Sequence, residues 1–166
     1  MTQLNNQLTD EVQVIIDSRP RNIPTGVKRN DMYFDALGEY VCSVDDDDEV
    51  SSVYVPEIVK YIKEYRTDCV TFDGWMTTNG KSRVDWTIKL GEKYEARKDP
   101  DGVTRYYRFP NHLVPIRKDI AIQVKFPPIY QSEDYAWACK IQPLLKTSVH
   151  IPLQLYHYRF VTNKNY

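Results

Sequence analysis

Five consecutive acids, Asp45, Asp46, Asp47, Asp48 and Glu49, follow directly on an apolar, β-branched run that ends at Val44. Adjacent carboxylates repel one another unless water, salt or a bound cation offsets the charge. Open α/β sheets bind ligands just beyond the carboxyl ends of their strands, and an apolar run that turns abruptly acidic has that character. On an extended backbone Asp45 and Asp47 project to the same side. Together they suit one hard divalent cation, with coordination positions left for phosphate oxygens. On charge alone the same run also suits a solvated acidic loop.

Three further groups carry chemistry. Asp17 closes a second apolar run, residues 11–16 (EVQVII), ahead of Pro20. Lys28 and Arg29 fall in the first turns of a helix beginning near Thr25, where backbone N–H groups and the helix dipole favour anions. Glu133 and Asp134 follow Ser132 at another helix start, where acids in the first turn complement the dipole.

The elements that must position these groups read as an α/β pattern. A strand is expected over residues 11–16 and a helix from Thr25 to about Leu37, stopped by Gly38. Residues 54–65 form an amphipathic helix with Val55, Ile58, Val59 and Ile62 on one face. Residues 68–72 are a strand, and Asn79-Gly80 joins residues 75–78 to residues 83–89 as a hairpin. Residues 110–115 form a loop carrying His112; residues 118–124 are a short helix or strand, Ser132 caps a helix, and residues 149–160 are β-like and rich in tyrosine.

Bulk properties narrow the function classes. With 166 residues, 22 Lys+Arg against 23 Asp+Glu and a net charge of −1, a single domain with no global field for nucleic acid or anionic membrane is expected. The three cysteines, Cys42, Cys69 and Cys139, lie far apart and read as reduced, mostly buried thiols. No segment is apolar enough to span a bilayer and the polar amino terminus does not resemble a signal peptide, so a cytoplasmic protein is expected. Counting from Asp45, an EF-hand would need glycine at Val50 and glutamate at Pro56, and His112, His150 and His157 lack zinc-hydrolase spacing. Phosphate-loop, dinucleotide-fingerprint, serine-nucleophile and RNA-binding motifs are missing too.

Three blocks, Gly26-Val27-Lys28-Arg29-Asn30, Ala36-Leu37-Gly38-Glu39-Tyr40-Val41 and Asp45-Asp46-Asp47-Asp48, resemble in order and spacing the G-x-x-R-N, A-x-G-E-Y and D-x-D-D signature of family 2 glycosyltransferases of the GT-A fold. Ser132-Glu133-Asp134-Tyr135 is similar to that family's E-D helix start. The resemblance implies a mixed, mostly parallel sheet flanked by helices, with a nucleotide and metal half over residues 11–74 and an acceptor half over residues 75–166. It implies a metal-dependent, inverting transfer of sugar from a nucleotide-diphosphate donor to a glycan or other hydroxyl acceptor. Asp17 would bond the base, Lys28 and Arg29 would lie near the nucleotide, and Asp45 would approach the ribose. Asp47 would bind Mn2+ or Mg2+, with His157 as a late metal ligand or simply a packed strand residue. Asp134 would be the general base with Glu133 beside it, and His112 and Trp75 would lie on the acceptor side.

Family members also carry a strand and helix ahead of the segment matching residues 11–16, and that strand lies between the segments matching residues 12–16 and 40–44. Without it the sheet would lack a central strand, and weak or absent activity is expected. The flanking strands would then pair directly, or a second copy or another chain would complete the sheet. The alternative is an inactive remnant acting as a carbohydrate- or protein-binding module.

Overall fold

A computed structural model describes residues 2–162. In chain order the elements are α1 (Thr2–Asn5), α2 (Thr25–Asp35), β1 (Tyr40–Val41), β2 (Glu49–Val50), α3 (Tyr54–Tyr65), β3 (Cys69–Thr78) and β4 (Lys81–Ile88). They continue with β5 (Glu95–Lys98), β6 (Thr104–Arg108), β7 (Ile116–Arg117), α4 (Lys118–Ala121), α5 (Glu133–Ile141), one 3-10 turn (Gln142–Leu144) and β8 (Ser148–Phe160).

The sheet is built around β3. Its hairpin to β4 turns at Asn79 and Gly80, whose φ values of 52° and 71° are the left-handed pair that a two-residue turn needs to match strand twist. On the other side β3 runs parallel to β8 from Cys69↔Ser148 to Thr78↔Phe160. β6 lies parallel to β4, β5 antiparallel to β6, β2 antiparallel to β8, and β7 antiparallel to both β3 and β1. The sheet is therefore mixed, as expected, but antiparallel pairings outnumber parallel ones among the described residues. Strand β3 also crosses the boundary expected between residues 74 and 75, so the two halves share one sheet.

Helix α3 begins and ends where the sequence pattern placed it and buries Tyr54, Val55 and Ile58 against β3 and β8. The Tyr54 ring meets Phe72 edge-on at 5.9 Å, and Trp86 and Trp137 are fully buried. Cys69 is buried, Cys42 half-buried and Cys139 exposed, a correction to the expectation of mostly buried thiols; all three are free.

The expected strand over residues 11–16 does not form. This segment has no ladder partner among the described residues, and Val14 and Ile16 are exposed. A strand is stable only when its backbone groups are paired along a neighbour, so apolar composition alone cannot make one. Nor does the segment pair with residues 40–44. A hollow of about 510 Å³ separates the two, lined by Val12, Ile15, Met32, Val41, Val44 and Ile58 among others. No helix among the described residues is long and apolar enough to cross a membrane.

Candidate functional site

Helix α2 places Gly26, Arg29, Asn30 and Tyr33 on one face, because positions three, four and seven apart stack along a helix. Each has a separate task. At Gly26 an added Cβ would lie 1.8 Å from the Pro127 carbonyl oxygen, so only glycine lets the helix come this close to residues 126–133. Asn30 clamps the same segment: its Nδ2 donates to the Phe126 carbonyl at 2.9 Å and its Oδ1 accepts from the Phe126 N–H at 2.8 Å. Phe126 stacks on Trp137 of α5 at 4.6 Å, and Tyr33 meets both rings edge-on at 5.4 and 6.0 Å. These contacts lock α5 onto α2 and fix where α5 begins.

Arg29 is thereby buried, with 6% of its surface exposed. Its Nη2 donates to Asp45 Oδ1 at 2.8 Å and its Nε to Glu133 Oε1 at 3.1 Å. Burial works against the guanidinium charge, but the carboxylates of Asp45 and Glu133 hold it protonated. Burial likewise pushes Asp45 up, while His112 and Arg29 outweigh it and hold the carboxyl well below its ordinary value. Glu133, expected beside Asp134, is 5% exposed and anchored on Arg29. Ser132 does not cap α5 through its side chain: its backbone is left-handed, φ 61°, which replaces the capping geometry expected from the sequence.

The imidazole of His112 joins the two sides of the site. It is 5% exposed, with Nε2 3.6 Å from Asp45 Oδ2 and Nδ1 3.5 Å from Asp134 Oδ2. Asp134 itself keeps 35% of its side chain open to solvent. His112 thus sits between the two carboxylates.

The acidic run does not continue the strand. Asp48 N–H donates to the Asp45 carbonyl at 3.1 Å, closing a turn, so the extended-chain argument for Asp45 and Asp47 is corrected. Asp48 is 4% exposed and accepts from Tyr156 OH and the Arg159 N–H, each at 2.8 Å; burial pushes its carboxyl up to about 6 against those donors. The Tyr156 oxygen also accepts from the Asp45 N–H at 3.1 Å, so β8 holds the turn at both ends. Asp46 and Glu49 are exposed and Asp47 half-buried.

The remaining candidates lie apart from this cluster. Asp17 accepts from the Arg19 backbone and side chain, and these bonds hold its carboxyl low; Lys28 Nζ donates to the Arg19 carbonyl at 2.6 Å and is 4.0 Å from Asp17. Lys28 and Arg29 therefore diverge, one to the entry of α2 and one inward. His157 meets Thr77 Oγ1 at 2.9 Å through Nε2 and Glu49 at 3.2 Å through Nδ1, so protein groups engage both nitrogens. Its ring stacks on Trp75 at 4.8 Å, and Arg83 lies 5.1 Å from the same indole.

No three His, Cys, Asp or Glu side chains among the described residues converge to hold a metal ion. Mg2+-type cations at phosphate sites commonly take one or two protein carboxylates and complete their shell with phosphates and water. Asp47 stands on the turn two residues from Asp45 and is half-buried.

The model of a family described as glycosyl transferase family 2 matches residues 3–124. The chain belongs to glycosyl transferase family 2. The match takes in α2, the acidic turn and His112, while Glu133, Asp134 and His157 lie beyond it. The chain also resembles solved structures of S. aureus TarS. Against TarS 1-349 in complex with UDP-GlcNAc the TM-score is 0.65 at 16% identity, covering 98% of this chain and 47% of that one. Against TarS 1-349 in complex with UDP it is 0.60 at 18% identity, covering 82% and 40%. Against S. aureus TarS it is 0.56 at 17% identity, covering 82% and 24%. The chain thus spans less than half the length of each, and the likeness shows a shared GT-A-like fold. A search of curated proteins returns no match.

Sequence reasoning missed Tyr156 and Tyr33 as site-builders and gave Asn30 no structural task. Tyr33 and Asn30 were legible as partners of Arg29 on one helix face; Tyr156 had no signal beyond its place in a tyrosine-rich strand.

Proposed function

We propose that this chain forms the donor- and base-bearing part of a metal-dependent glycosyltransferase. It transfers a sugar from a nucleoside diphosphate donor to an acceptor hydroxyl with inversion. The observation that carries this reading is that Asp45 and Asp134, from opposite ends of the chain, face one buried imidazole. Asp134 at the start of α5 takes the proton as the acceptor oxygen bonds to the sugar's anomeric carbon, and the bond to the diphosphate breaks on the opposite face. One such displacement inverts the centre. Asp45, fixed by Arg29 and His112, faces the donor ribose; Asp17 and Lys28 at the entry of α2 serve the base and its neighbourhood. Asp47 would hold Mn2+ or Mg2+, which when bound neutralises charge on the departing diphosphate. His157 contributes less to this reading, because Thr77 and Glu49 already engage its ring.

The 510 Å³ hollow beside residues 40–44 gives the donor side a soft wall, and turnover is expected to be slow unless a further strand fills it. The same hollow favours the second reading, a carbohydrate- or protein-binding module without turnover. Thermal titration separates the two. UDP is the first nucleotide to test, since the S. aureus neighbour was crystallised with it, followed by GDP and dTDP. Saturating Mn2+ and nucleotide together should stabilise the chain by about 2.7 kcal/mol at a hundredfold excess over Kd, and neither alone should do so. Asp47→Ala should abolish the gain. No response to any of the three with Mn2+ would favour the module.

A further inference from the structure

Resting on the transfer chemistry just described, we propose that His112 is the positioning residue that sets the base: its imidazole ties Asp134, through Nδ1, to the donor-side carboxylate Asp45, through Nε2.

The loop that delivers His112 is built rigidly. Phe109, Asn111, Leu113, Val114 and Ile116 are all buried around it. Asn111 Oδ1 accepts from the Leu113 N–H at 3.1 Å, while its Nδ2 donates to Tyr94 OH at 2.7 Å. The His112 carbonyl accepts from the Ser43 N–H at 2.7 Å and from Tyr33 OH at 3.4 Å, so the end of the β1 run and helix α2 both hold its backbone. Among the described residues neither ring nitrogen has a hydrogen-bond partner; each instead faces one carboxylate at ion-pair distance, 3.5 Å from Nδ1 to Asp134 and 3.6 Å from Nε2 to Asp45. A buried imidazole without other partners is costly, and its orientation between two carboxylates is what compensates. Imidazole suits this task because its two nitrogens lie on opposite sides of a rigid ring and can serve two acceptors at once when protonated.

The geometry assigns one oxygen of each aspartate. Asp45 accepts from Arg29 through Oδ1 and turns Oδ2 toward His112, so each of its oxygens faces a different partner. Asp134 gives Oδ2 to His112, which leaves Oδ1 for the acceptor hydroxyl. The distance from donor to base is then fixed by a single ring.

Two substitutions divide the ring. Asparagine reproduces a donor near Nδ1 and glutamine one near Nε2, so His112→Asn should keep the Asp134 link and His112→Gln the Asp45 link. With hydrolysis of UDP-GlcNAc, GDP-mannose and dTDP-glucose as the assay, His112→Ala should lower kcat by up to roughly 100-fold with KM for the donor unchanged. His112→Asn should recover part of that kcat and His112→Gln should not. In the Asp134→Asn background, His112→Ala should cost less than about 2-fold, because the two act as one unit. Equal rates for the Asn and Gln variants, or a full additive loss in the double variant, would overturn the proposal. A second readout needs no turnover: in 15N spectra of the imidazole, Asp134→Asn should shift Nδ1 and Asp45→Asn should shift Nε2. An Nδ1 resonance indifferent to Asp134→Asn would refute the link even with activity intact. Absence of hydrolysis in the wild type alongside the expected nitrogen shifts would instead count against the transfer reading and leave the link standing.

Discussion

Arg29→Met removes the cation that holds Asp45 and Glu133 while keeping most of the side-chain volume. Arg29 and Glu133 keep only 8% and 6% of their side chains exposed, so Glu133 would be left as a buried charge without its partner. Breaking such a pair typically costs about 3–5 kcal/mol. Asp45 retains 30% exposure and still faces His112, so its share is screened and the lower end, about 3 kcal/mol, is expected. For a chain of this size that loss corresponds to a fall in Tm of roughly 6–12 °C. Adding Glu133→Gln to the Met variant should return part of it by removing the stranded charge, whereas Glu133→Gln in the wild type should destabilise. Urea and thermal unfolding of the four proteins measure this directly. A fall of less than about 3 °C for Arg29→Met, or a further loss on adding Glu133→Gln, would refute the account of Arg29 as the clamp of the site.

Three other outcomes follow from the same geometry. Gly26→Ala sets a methyl group 1.8 Å from the Pro127 carbonyl oxygen, backbone that cannot simply swing away, and should cost about 1–3 kcal/mol by urea unfolding. The folded-state value of about 6 for Asp48 lies above its ordinary 3.8, so the folded chain binds that proton more tightly than the unfolded chain. Stability measured with EDTA present should therefore fall, by at most about 3 kcal/mol, as pH rises through that window, and Asp48→Asn should flatten the slope. Below that window Asp45 acts with the opposite sign: its lowered carboxyl contributes stability above its ordinary value and loses it as the medium becomes more acidic. Asp134→Asn should reduce sugar transfer by roughly 10²–10⁴-fold with the nucleotide response to Mn2+ intact, checked by turnover and melting together.

How much of this was readable from residues alone depended on whether the determining contact was local. Helix α3 and the Asn79-Gly80 turn are set by side-chain periodicity and by φ preference within a few residues, and both form where expected. Residues 11–16 have a strand's composition, yet a strand exists only with a neighbour, which no local pattern encodes. Gly26, Arg29 and Asn30 were legible as a block at helical spacing, but the spacing does not say what that face meets. Arg29 was expected near the nucleotide, but no local pattern says that its guanidinium reaches Asp45 and Glu133, one of them 104 positions away in the chain. The acidic run was legible as a chemical feature, while its turn depends on Tyr156 and Arg159, again more than a hundred residues distant. His112 was named for its loop; its place between Asp45 and Asp134 comes from the packing of that loop against Ser43 and Tyr33.

The central claim is that the acidic turn and the start of α5 border one donor site. Crystals grown with Mn2+ and UDP, with anomalous data collected at the manganese edge, test it most directly. The account predicts a manganese peak on the Asp47 carboxylate with the diphosphate on its far side, in the same cleft as Asp45 and Asp134. Manganese bound elsewhere, or UDP in a cleft that touches neither aspartate, would contradict it.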